Sequence, residues 1–133
     1  MLKNEYKVTV RWGDTDAAGI VFYPNFYKWM DEATHEFFKT MGFPTTDLFT
    51  NKQMSIPLLE THCQFKSPLF FDDEICITTT VEIVKKKVFK ATHLFTRGDQ
   101  QIAEGYELRA WASFENGVKA IEIPEEIKQK MGE

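Results

Sequence analysis

The sequence predicts an α+β fold in which an antiparallel sheet packs on one long helix. Three observations support this prediction. Residues 5–12 alternate between apolar and polar side chains, as a half-buried strand does. Between positions 24 and 41, apolar residues recur every three or four residues, which is the period of a helix. After about residue 52 the alternation returns and predicts four further strands.

The first strand and the helix have clear boundaries. In the strand, Tyr6, Val8, Val10 and Trp12 are expected on one face and Glu5, Lys7, Thr9 and Arg11 on the other. The helix is expected to begin at Pro24, because a proline at the first helical position lacks only an N–H that has no acceptor within the helix. Its apolar stripe comprises Phe26, Trp29, Met30, Ala33, Phe37, Phe38 and Met41. Gly42 predicts a left-handed C-cap.

The remaining strands are expected near residues 56–65, 75–83, 89–95 and 102–114, with turns at 97–100 and 116–117 and a short helix over 124–130. In the last strand, Tyr106 and Leu108 alternate against Glu107, Arg109 and Trp111. The long helix can cover one face of the sheet. Because Trp111 and its neighbours would leave apolar groups on the other face, we expect a second copy to cover them.

Bulk properties indicate a single domain spanning residues 1–133. The net charge of −4 gives no support to nucleic-acid binding, which needs a basic surplus. No signal peptide and no apolar run long enough for a membrane span are visible. Cys63 and Cys76 show no metal or redox spacing, so we expect inert thiols and a cytoplasmic location.

Common catalytic motifs are absent from the sequence. It contains no nucleophile elbow, no phosphate-binding glycine loop and no zinc-binding HExxH motif. The segment beginning at Asp14 starts like a calcium loop, but Ala18 offers no ligand oxygen and Asn25 stands where a bidentate Glu is needed. His35, His62 and His93 are scattered. We therefore expect no metal site.

The segment GDTDAAGIVFYPNF, residues 13–26, places two carboxylates directly before the helix. The first-turn N–H groups of a helix carry partial positive charge and can receive an oxygen that becomes negative. Gly19 lets the chain turn tightly towards that end. In an apolar pocket walled by Val21, Phe22 and Phe26, Asp16 would become more basic and could cleave an activated acyl group. The alternative is that Asp14 and Asp16 only form turns.

These residues resemble the signature of the hotdog-fold acyl-CoA thioesterases, specifically the 4-hydroxybenzoyl-CoA thioesterase family. The similarity includes Arg11, Asp16, Gly19 and the run from Tyr23 to Phe26, and it extends through Lys66-Ser67-Pro68 to Ile123-Pro124. The resemblance implies a five-stranded antiparallel sheet wrapped around one long central helix. It also implies a homodimer with the active site at the interface, often paired into a homotetramer, and no cofactor, since coenzyme A is part of the substrate.

The resemblance implies roles for particular residues. Asp16 matches the catalytic carboxylate, and the backbone N–H of Tyr23 matches the group that polarises the thioester carbonyl. Asp14 is then a turn residue or a neighbour that supports the loop. Asp31 matches a helix acid that could contact a phenolic hydroxyl, with a solvated polar residue as the alternative. The basic cluster that holds the nucleotide phosphates in that family corresponds here to Lys85, Lys86 and Lys87. The alternative is a solvated hairpin, which a bare lysine run usually forms.

Several functions remain open at the level of sequence. The Tyr-Pro-Asn at residues 23–25 and the abundance of Phe favour an aromatic, hydroxybenzoyl-like acyl group over a short aliphatic one. A hotdog hydratase would need an Asp–His pair, and no His lies near Asp16 in the chain. A non-catalytic acyl-CoA-binding module is the third alternative. Arg109 is a further candidate for the nucleotide, and residues 61–66 are candidates for a neighbouring wall from the partner subunit.

Overall fold

The computed structural model describes residues 2–132, which form three α-helices, one 3-10 turn and eight strands. The chain begins with strand β1 (Lys3–Thr9) and a 3-10 turn (Trp12–Asp14), followed by helices α1 (Pro24–Met41) and α2 (Thr45–Lys52). The strands that follow are β2 (Met54–Ser55), β3 (Leu58–Phe65), β4 (Glu74–Lys85), β5 (Val88–Arg97), β6 (Gln100–Ala110), β7 (Ala112–Ser113) and β8 (Lys119–Ala120). Helix α3 (Glu125–Met131) ends the described chain.

The main sheet has five strands in the order β1-β4-β5-β6-β3, and every neighbouring pair is antiparallel. Helix α1 lies along one face of this sheet. The predicted sheet wrapped around one long helix is therefore confirmed. The short strands β2, β7 and β8 form a second, three-stranded sheet that the sequence did not indicate.

Helix α1 has the predicted boundaries because both ends are set by backbone chemistry. Pro24 occupies its first turn, and Gly42 closes it in the left-handed region with φ 99°. The N–H of Phe43 then donates to the carbonyl of Phe38 over 2.9 Å, as in a Schellman cap. Helix α2 was not predicted from the sequence. Its one buried residue, Leu48, gives too weak a pattern to predict a helix.

The core consists of two apolar clusters with a polar layer between them. Residues from the first half of α1 pack in one cluster with Ile77 and Phe95, and residues from the second half pack in the other with Val81 and Ala91. Between Ile77 and Val81 lies Thr79, and between Ala91 and Phe95 lies His93. The polar layer comprises five buried side chains, Thr34, Thr79, His93, Glu107 and Arg109.

Three predictions about faces were wrong. Trp12 does not continue β1: it lies in the 3-10 turn and its side chain is 76% exposed. Glu107 and Arg109 lie on the buried face of β6, so the predicted faces of this strand are inverted. Trp111 is fully buried within its own chain against Phe38 and Phe89, so it is not an apolar group that a second copy would cover.

None of the helices that the structure describes is long and apolar enough to cross a membrane.

Candidate active site

The acidic loop, residues 13–23, folds into a miniature hairpin between β1 and α1. The N–H of Asp16 donates to the carbonyl of Ile20 over 3.0 Å, and the N–H of Phe22 donates to that of Asp14 over 2.9 Å. Gly19 closes the turn with φ 80°, a conformation that L side chains rarely adopt. This hairpin holds Asp16 at its turn and delivers the chain to the helix.

The Asp16 side chain is exposed in the single chain. Its Oδ1 accepts a hydrogen bond of 2.9 Å from the N–H of Ala18, so one carboxylate oxygen has the turn-forming role that the sequence left open. Within residues 2–132, no hydrogen bond to Oδ2 is present. Asp14 has a purely local role, because its Oδ2 accepts from the N–H of Arg11 over 2.8 Å.

The N-terminus of α1 has a backbone N–H available for a ligand. Tyr23 is the N-cap residue, and in the described part of the chain its N–H has no acceptor. No acidic side chain lies in the first turn of the helix to offset its positive end. The Asn25 side chain donates to the carbonyl of Asp14 over 2.9 Å and so ties the acidic loop to this end of the helix.

A mostly apolar cleft of about 440 Å³ opens at this helix end, which we call the helix-end cleft. Its wall includes Val21, Tyr23 and Phe26, together with Phe65 from the end of β3 and residues 66–69. The ring of Phe65 makes edge contacts with those of Tyr23 and Phe26, at centroid distances of 6.4 and 4.9 Å.

The predicted pocket around Asp16 needs correction for the single chain. Val21 and Phe26 do line the cleft, but Phe22 is 49% exposed and neither it nor Asp16 belongs to the cleft wall. The miniature hairpin is the cause, since it projects Asp16 at its turn. Phe65 and Lys66, which were expected in a wall from the partner subunit, line the cleft of their own chain, because the pairing of β3 with β6 brings them to the helix end.

Asp31 lies further along α1, in an ion pair with a buried arginine. Arg109 donates from Nη2 to Oδ1 of Asp31 over 2.7 Å, and Nε2 of His35 lies 3.4 Å from the same oxygen. The hydrogen bond from His35 lowers the pKa of Asp31, burial opposes it, and Arg109 lowers it further, to about 2. Asp31 is therefore a carboxylate at neutral pH. Arg109 is only 5% exposed, so it cannot serve as a surface phosphate ligand, as was suggested from sequence.

The lysine turn, residues 85–87, is exposed at the opposite end of the sheet. Val10 precedes the acidic loop, and its N–H donates to the carbonyl of Asp73, the residue before β4. Lys85 is the last residue of that strand. Glu74 and Lys85 are eleven steps apart along the strand, which corresponds to roughly 36 Å. Within one chain, the lysine turn and the acidic loop are therefore too far apart to bind neighbouring groups of a ligand.

The three histidines lie apart from the helix-end cleft. His35 lines a separate cavity of about 290 Å³ beside α2, His62 is exposed on β3, and His93 is fully buried. A hydratase-type Asp–His pair at Asp16 is thus not formed within residues 2–132. In that same range, no group of three or more His, Cys, Asp or Glu side chains could hold a metal ion.

The chain is similar in sequence and in fold to known thioesterases. Residues 10–131 match the Thioesterase-like superfamily. The structure superimposes on that of a gentisyl-coenzyme A thioesterase with a TM-score of 0.87 and 45% identity, covering 96% of this chain and 99% of the other. The 4-hydroxybenzoyl-CoA thioesterase of Pseudomonas sp. strain CBS-3 is 28% identical over 123 residues, which are 86% of this chain and 87% of that enzyme.

A further structure has the substrate of such an enzyme in place. An Asp-to-Asn mutant of 4-hydroxybenzoyl-CoA thioesterase, complexed with 4-hydroxybenzoyl-CoA, matches with a TM-score of 0.88 and 25% identity over 97% of this chain and 98% of that one. Together with the sheet order and the single long helix, these similarities decide the assignment. The chain belongs to the thioesterase-like superfamily, has the hotdog fold and is a thioester hydrolase.

Proposed function

We propose that the protein hydrolyses an aromatic acyl-CoA thioester to the free acid and coenzyme A. The observation that supports this most directly is the N–H of Tyr23, which has no acceptor within residues 2–132 and lies at the positive end of α1 beside the helix-end cleft. A thioester oxygen gains negative charge as its carbonyl carbon is attacked. A fixed N–H donor at a helix N-terminus stabilises that charge without reorganising.

In this mechanism Asp16 supplies the carboxylate. Direct attack forms a bond between a carboxylate oxygen and the acyl carbon, breaks the carbon–sulfur bond and releases coenzyme A as thiolate, which then takes up a proton. Water hydrolyses the resulting anhydride to the free acid and regenerates Asp16. In the other variant, Asp16 takes a proton from water, which attacks the carbonyl carbon itself. The carbon–sulfur bond then breaks, and the released thiolate takes up the proton from Asp16. Oδ2 is the oxygen available for either step, since Oδ1 is engaged by Ala18.

The length of α1 between Tyr23 and Asp31 supports an aromatic acyl group with a hydroxyl. Tyr27 lies four positions after Tyr23 and four before Asp31, so all three residues lie on one stripe of the helix. Eight residues of helix rise by about 12 Å. A group held between the Tyr23 N–H and the Asp31 carboxylate therefore has to extend along the helix, as a rigid aromatic ring with a carbonyl and an opposite hydroxyl does.

Two relatives act on acyl groups of this chemical class. Their names give gentisyl-coenzyme A and 4-hydroxybenzoyl-CoA as substrates, and both acyl groups are hydroxylated aromatic rings. The ring of Phe65 in the cleft wall adds an aromatic surface for such a group. We extend the class of substrate, though not the individual acid, to this protein.

The proposed enzyme is a homodimer, because a dimer would bring the separated parts of the site together. Strand β3 is an edge of the main sheet, and it exposes Leu58, Leu59 and Phe65 by 45% or more. An unpaired, apolar edge strand is suited to pairing with a second copy. In such a dimer the lysine turn of one subunit would hold the coenzyme A phosphates for the acidic loop of the other.

A panel of acyl-CoA substrates tests this proposal, with a thiol-reactive dye reporting released coenzyme A. We expect kcat/KM to be highest for hydroxylated benzoyl groups, lower for benzoyl, and lowest for acetyl, butyryl and hexanoyl. Preference for a straight-chain group would overturn the aromatic assignment and leave the reaction class. Tight binding of every substrate with no thiol released would favour a non-catalytic binding module. Sedimentation velocity in the same buffer tests the dimer.

A further inference from the structure

The buried polar layer between α1 and the sheet is a continuous chain of hydrogen bonds. Oγ1 of Thr79 lies 2.8 Å from Nδ1 of His93, and Nε2 of His93 lies 3.1 Å from Oγ1 of Thr34 and 3.5 Å from Oε1 of Glu107. Oγ1 of Thr34 also donates to Oε1 of Glu107. Arg109 donates to both carboxylate oxygens of Glu107, from Nε over 3.1 Å and from Nη2 over 2.9 Å.

This layer is not explained by stability alone. Glu107 is 1% exposed and Arg109 is 5% exposed, so both charges have lost most of their water. A buried ion pair often stabilises a protein no more than well-packed apolar side chains of the same volume would. Burial alone would raise the pKa of Glu107, but hydrogen bonds from His93 and Arg109 outweigh it and lower the pKa to about 2. The carboxylate is thus held ionised, as a fixed partner for Arg109.

Glu107 orients Arg109 towards the surface of α1. With Nε and Nη2 bound to Glu107, and with Nη1 donating to the carbonyl of Ile56 over 2.8 Å, the guanidinium plane is fixed at three acceptors. Nη2 then reaches Oδ1 of Asp31 over 2.7 Å. The buried layer therefore ends at one exposed carboxylate.

The free end of that carboxylate faces outward. The Asp31 side chain is 53% exposed, and both of its protein partners, Arg109 and His35, contact Oδ1. No group within residues 2–132 donates to Oδ2. In a helix, side chains lean towards the N-terminus, so the carboxylate of Asp31 is inclined towards Tyr27 and the helix-end cleft. An ionised oxygen without a donor accepts a strong hydrogen bond from a hydroxyl.

We propose that Arg109, held by Glu107, is a positioning residue that fixes the Asp31 carboxylate to accept a hydrogen bond from a ring hydroxyl of the acyl group. Arg109 thereby sets the preference for hydroxylated over unsubstituted aromatic substrates. This inference rests on the proposed function, because it requires an aromatic acyl group near Asp31. Lysine cannot replace Arg109 in this role, because one ammonium group cannot bind Glu107 through a rigid fork and also hold Asp31.

The test compares kcat/KM for 4-hydroxybenzoyl-CoA with that for benzoyl-CoA, which lacks only the hydroxyl. For the unaltered protein we expect this ratio to be roughly 10 to 100, because one hydrogen bond to a charged group strengthens binding by about that factor. Asp31→Asn and Arg109→Lys should each lower the ratio to within about threefold of one, through loss of 4-hydroxybenzoyl-CoA hydrolysis with benzoyl-CoA hydrolysis largely kept. In the variant that combines Asp31→Asn with Arg109→Lys, the ratio should fall no further than in either single variant.

A matched control separates positioning from general destabilisation. Arg97→Lys alters another arginine–carboxylate pair, in which Nη1 of Arg97 lies 2.6 Å from Oδ2 of Asp73. This variant should keep the ratio of the unaltered protein. Equal losses on both substrates in Arg109→Lys would show a merely structural role and overturn the inference. If Arg109→Lys does not fold, the ratio for Glu107→Gln decides in the same way.

The two proposals fail differently in this experiment. If the unaltered protein cleaves neither aromatic thioester, the proposed substrate class is wrong. If it cleaves both at equal rates, the aromatic class stands and the hydrogen bond from a ring hydroxyl to Asp31 is wrong. If it discriminates between them and Asp31→Asn abolishes the discrimination while Arg109→Lys keeps it, the substrate class stands and the positioning role of Arg109 is wrong.

Discussion

Gly105 on β6 lies directly beneath Met30 on α1. A Cβ at this position would come within 2.5 Å of the Met30 sulfur and 2.7 Å of the backbone oxygen of His62. Only glycine allows this approach, because its lack of a side chain lets the helix and the neighbouring strand come close together. The contact fixes the depth of α1 on the sheet, and the helix in turn places Tyr23 and Asp31.

Gly105→Ala should therefore destabilise the fold. We expect a loss of about 1–3 kcal/mol in the free energy of unfolding, because the added methyl group meets backbone as well as a flexible sulfur. Urea denaturation followed by fluorescence measures it. Gly13→Ala is the matched control, since a Cβ there has no neighbour within 4 Å. Equal stability of the two variants would contradict the close packing.

The backbone N–H of Tyr23 can be removed without changing the local backbone angle. Tyr23 has φ −55°, which proline also adopts, and the N–H has no acceptor within residues 2–132 to lose. Tyr23→Ala deletes the side chain but keeps the N–H, so it is the reference. If this N–H stabilises the transition state, kcat of Tyr23→Pro should be ~10²–10³ lower than that of Tyr23→Ala. Comparable kcat values in two folded variants would exclude the N–H from catalysis.

The lysine turn should affect substrate affinity, with little effect on the chemical step. Replacing all three lysines of residues 85–87 by Gln should raise KM roughly tenfold at low salt and leave kcat nearly unchanged, because exposed charges each contribute little. The effect should shrink as salt is added. A triple Gln variant of the exposed residues Lys3, Lys7 and Lys39 loses the same charge and serves as control. A KM equal to that of the control would argue against phosphate binding at residues 85–87.

Acid should weaken the buried layer in a defined pH range. The folded pKa of Glu107 is about 2, below its ordinary value of 4.5, so the unfolded chain binds its proton first as pH falls. The stabilisation of the fold by ionised Glu107 is present above about pH 4.5 and is lost as pH falls towards 2. The stability difference between the unaltered protein and Glu107→Gln should therefore shrink between pH 5 and pH 3. A difference independent of pH across this range would contradict the ionised state of Glu107, and the exposed Glu82→Gln controls for the loss of one carboxylate.

The parts of the fold that the sequence predicts are those with local signals. Pro24 and Gly42 mark the ends of α1 through their own backbone chemistry, and Phe89 to Phe95 alternate in the period of a strand. Around Gly19 the sequence could predict only a turn, because the miniature hairpin is held by backbone hydrogen bonds such as that from Asp16 to Ile20. These signals identified the acidic loop and its position before the helix.

The inverted face of β6 shows where local signals end. Tyr106 and Leu108 alternate with Glu107 and Arg109 equally well in either orientation, and polarity favoured exposing the charges. The structure buries them because their partners are distant in sequence: Arg109 bonds to Asp31, 78 residues away, and Thr34 bonds to Glu107, 73 residues away. No periodicity reports such pairing. The position of Phe65 in the cleft wall of its own chain could not be predicted for the same reason.

The most direct test of the account is thioester hydrolysis by Asp16→Asn, with released coenzyme A measured by a thiol-reactive dye. The substitution keeps size and the acceptor oxygen for Ala18, but it removes the charge. We expect kcat to fall by ~10²–10⁴, whereas Asp14→Asn, whose carboxylate supports only the 3-10 turn, should keep most of its activity. A folded Asp16→Asn variant with nearly normal turnover would contradict the central claim.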